Sequence, residues 1–331
     1  MLRLARHRNP KHSVTKALSE QMTDILQPDP QGIARAAAVL AAGGLVALPT
    51  ETVYGLAADA RNGAAVARIY EAKGRPSFNP LIVHLADVGD AQRYGVWSDN
   101  AEILATAFWP GPLTLVLPLT SNHGLSSLVT AGLDSVALRV PAHPTSHAIL
   151  QAFDGPIAAP SANPSGRISA TTAAHVLAGL DGRIDAVVDD GPCAVGLEST
   201  IVGLTQKTPI LLRAGGLPIE AIEAALGMQI DVADGAEIIA PGQMTSHYAP
   251  AAQVRLNAQT ASDGEVLLGF GTISGDLNLS PSGDLTQAAA NLFDYLHALD
   301  AMDKPIAIAP IPDHGLGRAI NDRLRRAAAP R

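Results

Sequence analysis

Runs of four to seven mostly apolar residues, each halted by a proline, a glycine or a hydroxyl-bearing loop, recur through this chain and alternate with helical periodicity. Strands that short bury their surface only within a sheet, and helices between them are the connections a partly parallel sheet requires. The pattern dictates an α/β fold. The predicted strands cover 45–48, 81–85, 113–119, 135–140, 156–159, 184–188 and 209–212. Beyond a linker at 228–252, the order strand, helix, strand, helix over 265–270, 286–299, 305–309 and 316–328 predicts a second, smaller α/β domain at 253–331. At 331 residues the chain is long enough for two cores.

The helix predicted over 63–73 sets Val66, Ile69 and Tyr70 at helical spacing and stops at Gly74. Lys73 and Arg75 then stand at a helix C-terminus, in the loop Lys73-Gly74-Arg75-Pro76-Ser77-Phe78-Asn79-Pro80. That end of a helix carries partial negative charge, so an anion held there depends on side-chain cations. The loop reads as a phosphate cradle. Taken alone, the pair also suits a lysine complementing the helix dipole beside a solvated arginine.

Alternation along 135–140 puts Val136, Leu138 and Val140 on one face and Ser135, Ala137 and Arg139 on the other. An arginine and a small hydroxyl flanking an alanine leave space for a ligand. Alternation along 81–85 likewise places His84 with Ile82, opposite Leu81, Val83 and Leu85. Two prolines clamp Pro160-Ser161-Ala162-Asn163-Pro164 and fix the Ser161 and Asn163 side chains at low entropic cost. The strand at 209–212 delivers Arg213 into a Gly-rich turn. Near the linker's centre, Pro241 to Pro250 carries His247 and Tyr248, an aromatic content that generic linkers lack.

Several functions are excluded. A net charge of −8 argues against a broad nucleic-acid surface. No apolar run reaches membrane-spanning length, which predicts a soluble protein. The single cysteine, Cys193, allows no internal disulfide and fits a reducing cytoplasm. There is no G-x-x-x-x-G-K-[ST] loop, G-x-S-x-G elbow, H-E-x-x-H or Cys/His metal spacing, and no metal site is assigned. Gly269, Gly271 and Gly275 are read as a turn rather than a dinucleotide loop. The basic residues 1–29 are expected to form a disordered tail or an over-extended start, with Met22 as the alternative initiator; a targeting segment is disfavoured by its few apolar residues.

What remains is a set of cations and hydroxyls at strand ends with no obvious covalent nucleophile, which suits binding two substrates and stabilising charge during phosphoryl or nucleotidyl transfer. The runs Leu48-Pro49-Thr50-Glu51-Thr52-Val53-Tyr54-Gly55-Leu56 and Leu197-Glu198-Ser199-Thr200-Ile201, with the Lys73-x-Arg75 and Ser161-x-Asn163 pairs, resemble the YrdC/Sua5 family. The resemblance covers about residues 31–227, and the remainder is similar to the two-domain Sua5 branch. It implies a YrdC-like open twisted mixed sheet with helices and a small Rossmann-like C-terminal domain. It also implies threonylcarbamoyl-AMP synthase activity: L-threonine, bicarbonate and ATP, with Mg²⁺, giving L-threonylcarbamoyladenylate and pyrophosphate for the t6A37 modification of tRNA.

By resemblance, Lys73, Arg75, Asn79, Ser135, Ser161, Asn163, Ser169 and Arg213 hold the nucleotide, with His247 and Tyr248 reaching over it from the linker as a lid. Thr52, His84, Arg139, Ser199 and the Ala159 backbone hold threonine. Lys73 and Arg75 are the expected catalytic cations. Downstream t6A transferase machinery is the expected recipient, and direct contact with tRNA stays open. The competing readings are a carbamoyl-adenylate transferase, which the threonine-side residues disfavour, and an RNA-binding module without catalysis, which the acidic balance disfavours.

Overall fold

The computed structural model describes residues 22–233 and 247–330. Local signals account for its helix boundaries. Asn62 accepts from the Ala64 and Ala65 amides at the start of the helix Gly63–Lys73, and Gly74, at φ 60°, closes it in the left-handed region that a side chain disfavours. Thr172 caps the helix Ala173–Leu180 through the His175 amide, and Gly227 ends the helix Ile219–Leu226 at φ 66°.

The large sheet runs in the order Asp24–Leu26, Ala186–Val188, Val46–Leu48, Gly55–Asp59, Ile157–Ala158, Ile82–His84, Ser135–Arg139, Leu113–Pro118, Thr200–Gly203, Ile210–Arg213, Asp231–Val232. Its pairings mix parallel and antiparallel. One face packs Leu81, Val83, Leu138 and Val202 into the main core with residues such as Ile69, Leu104, Val176 and Ile222 from four helices. On the other face, the helices Pro30–Ala41 and Pro144–Phe153 cover one part of the sheet through Leu40, Ile149 and Leu150. Farther along that face, Ile82, Val116, Ala137, Ile201 and Leu212 form a smaller cluster from strand residues alone. There the polar side chains of adjoining strand ends have room to converge.

The second domain has four parallel strands in the order Val254–Arg255, Ile306–Ile308, Val266–Gly269, Leu277–Asn278, with the helices Leu285–Asp300 and Leu316–Ala327. Its core continues into the first domain, because Val53, Ile168 and Leu197 join Phe293, Leu296 and Ile320 in one cluster. The contact is close: a Cβ on Gly196 would lie 2.5 Å from the Ala289 carbonyl oxygen. Gly269 and Gly275 approach backbone to backbone in a tight turn. No helix among the described residues is long and apolar enough to cross a membrane.

Three expectations need correction. The tail does not extend to residue 29, because Asp24–Leu26 pairs parallel with Ala186–Val188 and Asp29 caps the following helix; residues 1–21 lie outside the described set. The linker starts later than 228, because Asp231–Val232 adds an edge strand beside Ile210–Arg213; residues 234–246, including 241–246 of the expected lid, also lie outside it. Finally, the predicted strands omit Gly55–Asp59, which is a central strand of the sheet. Its Gly-Leu-Ala-Ala-Asp sequence has little β-propensity and gains its conformation from neighbours on both sides.

Candidate active site

Strand register assembles the site. His84 and Arg139 end adjacent parallel strands and are direct partners in the ladder. Both line a cavity with Thr52, Arg75, Ala159, Ser161, Ser199, Arg213, His247 and Tyr248. Asn79, Lys73, Asn163 and Ser169 lie just behind that wall, all buried. Ser135 shares a face with Arg139, but four residues separate them, about 13 Å at strand rise, and Ser135 does not reach the cavity.

The Lys73 ammonium donates to the Ser161 carbonyl at 2.6 Å and to the Asn163 carbonyl, so the helix end and the proline-clamped loop are tied through their two motifs. Arg75 donates to the Pro80 carbonyl at 3.1 Å. Among the described residues these two cations meet carbonyls and no carboxylate. Burial, then the Arg75 charge, pulls the Lys73 pKa well below the usual lysine value. Burial likewise brings Arg75 down to about 10. Both shifts report buried positive charge that an anionic ligand would offset.

On the threonine side of the expected site, Arg139 donates through Nε to the Gly111 carbonyl at 3.2 Å and through Nη2 to Glu51 at 2.6 Å. His84 is held down to about 3 by burial and then by the Arg139 charge, so it is neutral at physiological pH, with Nδ1 unpartnered among the described residues. Ser199 Oγ and Thr114 Oγ1 lie 2.7 Å apart, and Arg213 Nη2 donates to the Ser199 carbonyl at 2.9 Å. Thr52 Oγ1 lies 2.7 Å from Thr50 Oγ1. Burial pushes the Cys193 thiol up to about 12, which removes it as a nucleophile.

His247 and Tyr248 line the cavity with their rings edge to face, 4.1 Å between centroids. Tyr248 is buried at φ 60°, an unusual conformation for a bulky residue. Its ring stacks on Phe293 of the second domain, 5.7 Å between centroids, and its hydroxyl has no partner among the described residues.

Sequence reasoning passed over Glu51, Glu198 and Arg323. The first two stand inside quoted motifs, yet nothing local shows that Glu51 meets Arg139 or that Glu198 meets Ser169 and Arg323. For Arg323 a signal exists: it falls on the stripe Ile320, Arg323, Leu324, Ala327, an arginine at a core position of its helix.

The family model described as "Telomere recombination", for Sua5, YciO and YrdC, matches residues 38–215. The chain belongs to the Sua5/YrdC family. A second model of this family, "Threonylcarbamoyl-AMP synthase, C-terminal domain", matches residues 217–329. The Bacillus subtilis threonylcarbamoyl-AMP synthase is 42% identical over 96% of this chain and 99% of its own length. That of Pyrococcus abyssi is 39% identical over 88% of this chain and 93% of its own. The crystal structure of Pyrococcus abyssi Sua5 complexed with L-threonine superposes with a TM-score of 0.86 at 38% identity, covering 92% of this chain and 98% of that one. The YrdC-like sheet and the Sua5-type C-terminal domain are thus both present in this member of the family.

Proposed function

We infer that this chain is a threonylcarbamoyl-AMP synthase, joining L-threonine, bicarbonate and ATP into L-threonylcarbamoyladenylate with release of pyrophosphate, for t6A37 modification of tRNA. Its family supports the activity. The observation that carries it to these residues is the buried cation set of Arg75, Arg139 and Arg213 lining one cavity, with hydroxyls and a neutral histidine between them and Lys73 bonded to the Ser161 carbonyl behind the wall.

In this reading, Lys73, Arg75 and Arg213 hold the nucleotide phosphates, helped by the Ser161 and Asn163 loop. Arg139, braced by Glu51 and the Gly111 carbonyl, meets the threonine carboxylate as an oriented fork, which a lysine could not supply. Thr52, His84, Ser199 and the Ala159 backbone surround the rest of threonine. The threonine amine and bicarbonate form a carbamate with loss of water; a carbamate oxygen then bonds to the α-phosphorus as the bond to pyrophosphate breaks. The buried cations stabilise the charge moving onto the leaving group, and His247 and Tyr248 restrict water at the reactive carbamate and adenylate. No group of three or more His, Cys, Asp or Glu residues that could hold a metal ion is present among the described residues. Mg²⁺ therefore belongs with the nucleotide phosphates, as is usual for that ion. The single buried thiol fits a reducing cytoplasm, where t6A transferase machinery would receive the product.

Pyrophosphate release from ATP, with Mg²⁺ and bicarbonate present, tests this when L-threonine, L-serine or no amino acid is added. Release requiring both bicarbonate and threonine is expected. Release indifferent to the amino acid would overturn the assignment.

A further inference from the structure

We propose that Arg323 of the second domain is a positioning residue for the threonine and nucleotide sites, stapling together the two backbone segments that present Ser199 and Arg213. This rests on the synthase reading above.

Arg323 lies on the helix Leu316–Ala327 and is completely sealed from solvent. Its Nε donates to Glu198 Oε2 at 2.9 Å and its Nη1 to the Ala214 carbonyl at 2.7 Å. Glu198 immediately precedes Ser199, and Ala214 immediately follows Arg213. One guanidinium therefore grips both segments, each next to a residue of the cavity wall. The segments also touch directly: the Gly216 amide donates to the Glu198 carbonyl at 2.9 Å, and a Cβ on Gly215 would lie 2.3 Å from that oxygen. On its other side the guanidinium packs 5.0 Å from the centroid of the Tyr248 ring.

The arrangement is specific to arginine. Only a planar fork can bond a carboxylate and a carbonyl in different directions while its face supports an aromatic ring. The second domain thereby enters the chemistry without touching substrate. It fixes the Glu198 carboxylate, which lines the cavity, and with it the path of the chain into Ser199. Arg213 donates in turn to the Ser199 carbonyl, so a displacement of either segment moves groups on both sides of the cavity.

The experiment compares wild type, Arg323→Met, Arg323→Lys and the double variant Arg323→Met/Glu198→Gln, with steady-state pyrophosphate release measured well below each melting temperature. Removing the arginine strands a buried carboxylate and costs stability; neutralising Glu198 as well relieves that cost. For a positioning role, the double variant regains most of the lost melting temperature while KM for threonine stays at least tenfold above wild type. Arg323→Lys, which keeps the charge but not the fork, shows the same elevated KM. KM values for threonine and ATP and a kcat within twofold of wild type in folded Arg323→Lys or in the double variant would overturn the proposal. So would recovery of KM together with melting temperature. Absence of threonine-dependent release from wild type would instead refute the synthase reading itself.

Discussion

The Arg139 guanidinium donates to the Glu51 carboxylate at 2.6 Å, and the two side chains are only 4% and 12% exposed. Before any ligand arrives, the arginine proposed to take the threonine carboxylate is thus braced by an internal one. Removing one partner of a buried ion pair typically costs about 3–5 kcal/mol, because the other charge remains in a poor solvent. Glu51→Gln keeps an acceptor and should cost less, on the order of 1–3 kcal/mol. Saturating threonine should then raise the melting temperature of Glu51→Gln by more than that of wild type, since the ligand supplies the missing carboxylate. Equal threonine shifts in a thermal melt would count against carboxylate recognition by Arg139.

Lys73→Ala should separate function from folding. The lysine is buried with its pKa well lowered, so its charge opposes folding even while it bonds the Ser161 and Asn163 carbonyls. Its loss should change the melting temperature by only a few degrees, while turnover drops at least 100-fold, roughly 2.7 kcal/mol of transition-state stabilisation. ATP should raise the melting temperature of wild type increasingly with its concentration, logarithmically once that exceeds Kd, and leave the variant unmoved. Equal turnover in the two proteins would remove Lys73 from the catalytic set.

Acid should weaken the fold through histidines kept neutral. Burial lowers His84 to about 3, and burial followed by the His297 charge lowers His175 to about 4, from an ordinary value of 6.5. Between 6.5 and those folded values, the unfolded chain takes up protons that the native state refuses. Stability is therefore full above pH 6.5 and falls as pH drops through the window. His175 also stacks on His297 of the second domain at 3.9 Å between centroids, and His297 lies 3.1 Å from the Ser169 carbonyl. Denaturant titrations from pH 7 to pH 4 should show a shallower loss for His84→Gln and His175→Gln than for wild type. A slope unchanged in both variants would place the acid sensitivity elsewhere.

Gly215 and Gly227 should respond differently to alanine. A Cβ on Gly215 would press on the Glu198 and Ser199 backbone at 2.3 to 2.4 Å, and that backbone can yield only by shifting the cavity wall. Gly227 sits at φ 66° with nothing within 4 Å of the added Cβ, so its cost is conformational, about 1–2 kcal/mol. Gly227→Ala should lower the melting temperature with KM for threonine unchanged, whereas Gly215→Ala should also raise that KM several-fold. A matching KM in both variants would dissociate the Gly215 turn from the site.

Much of this protein is decided within a few residues of chain. Helix ends follow from Asn62, Gly74, Thr172 and Gly227 because caps and left-handed turns are local chemistry. The face on which Arg139 and His84 stand follows from strand alternation alone. The motif runs likewise fixed the family, since residue type and spacing are properties of sequence. Tertiary structure decided what depends on distant partners. Asp24–Leu26 and Gly55–Asp59 become strands because neighbouring strands complete their hydrogen bonds, which their own composition does not foretell. Glu51 becomes the brace of Arg139 across 88 residues, and Arg323 reaches Glu198 across 125. A buried charge finds its partner only once the chain has folded around it, and no local pattern carries that pairing.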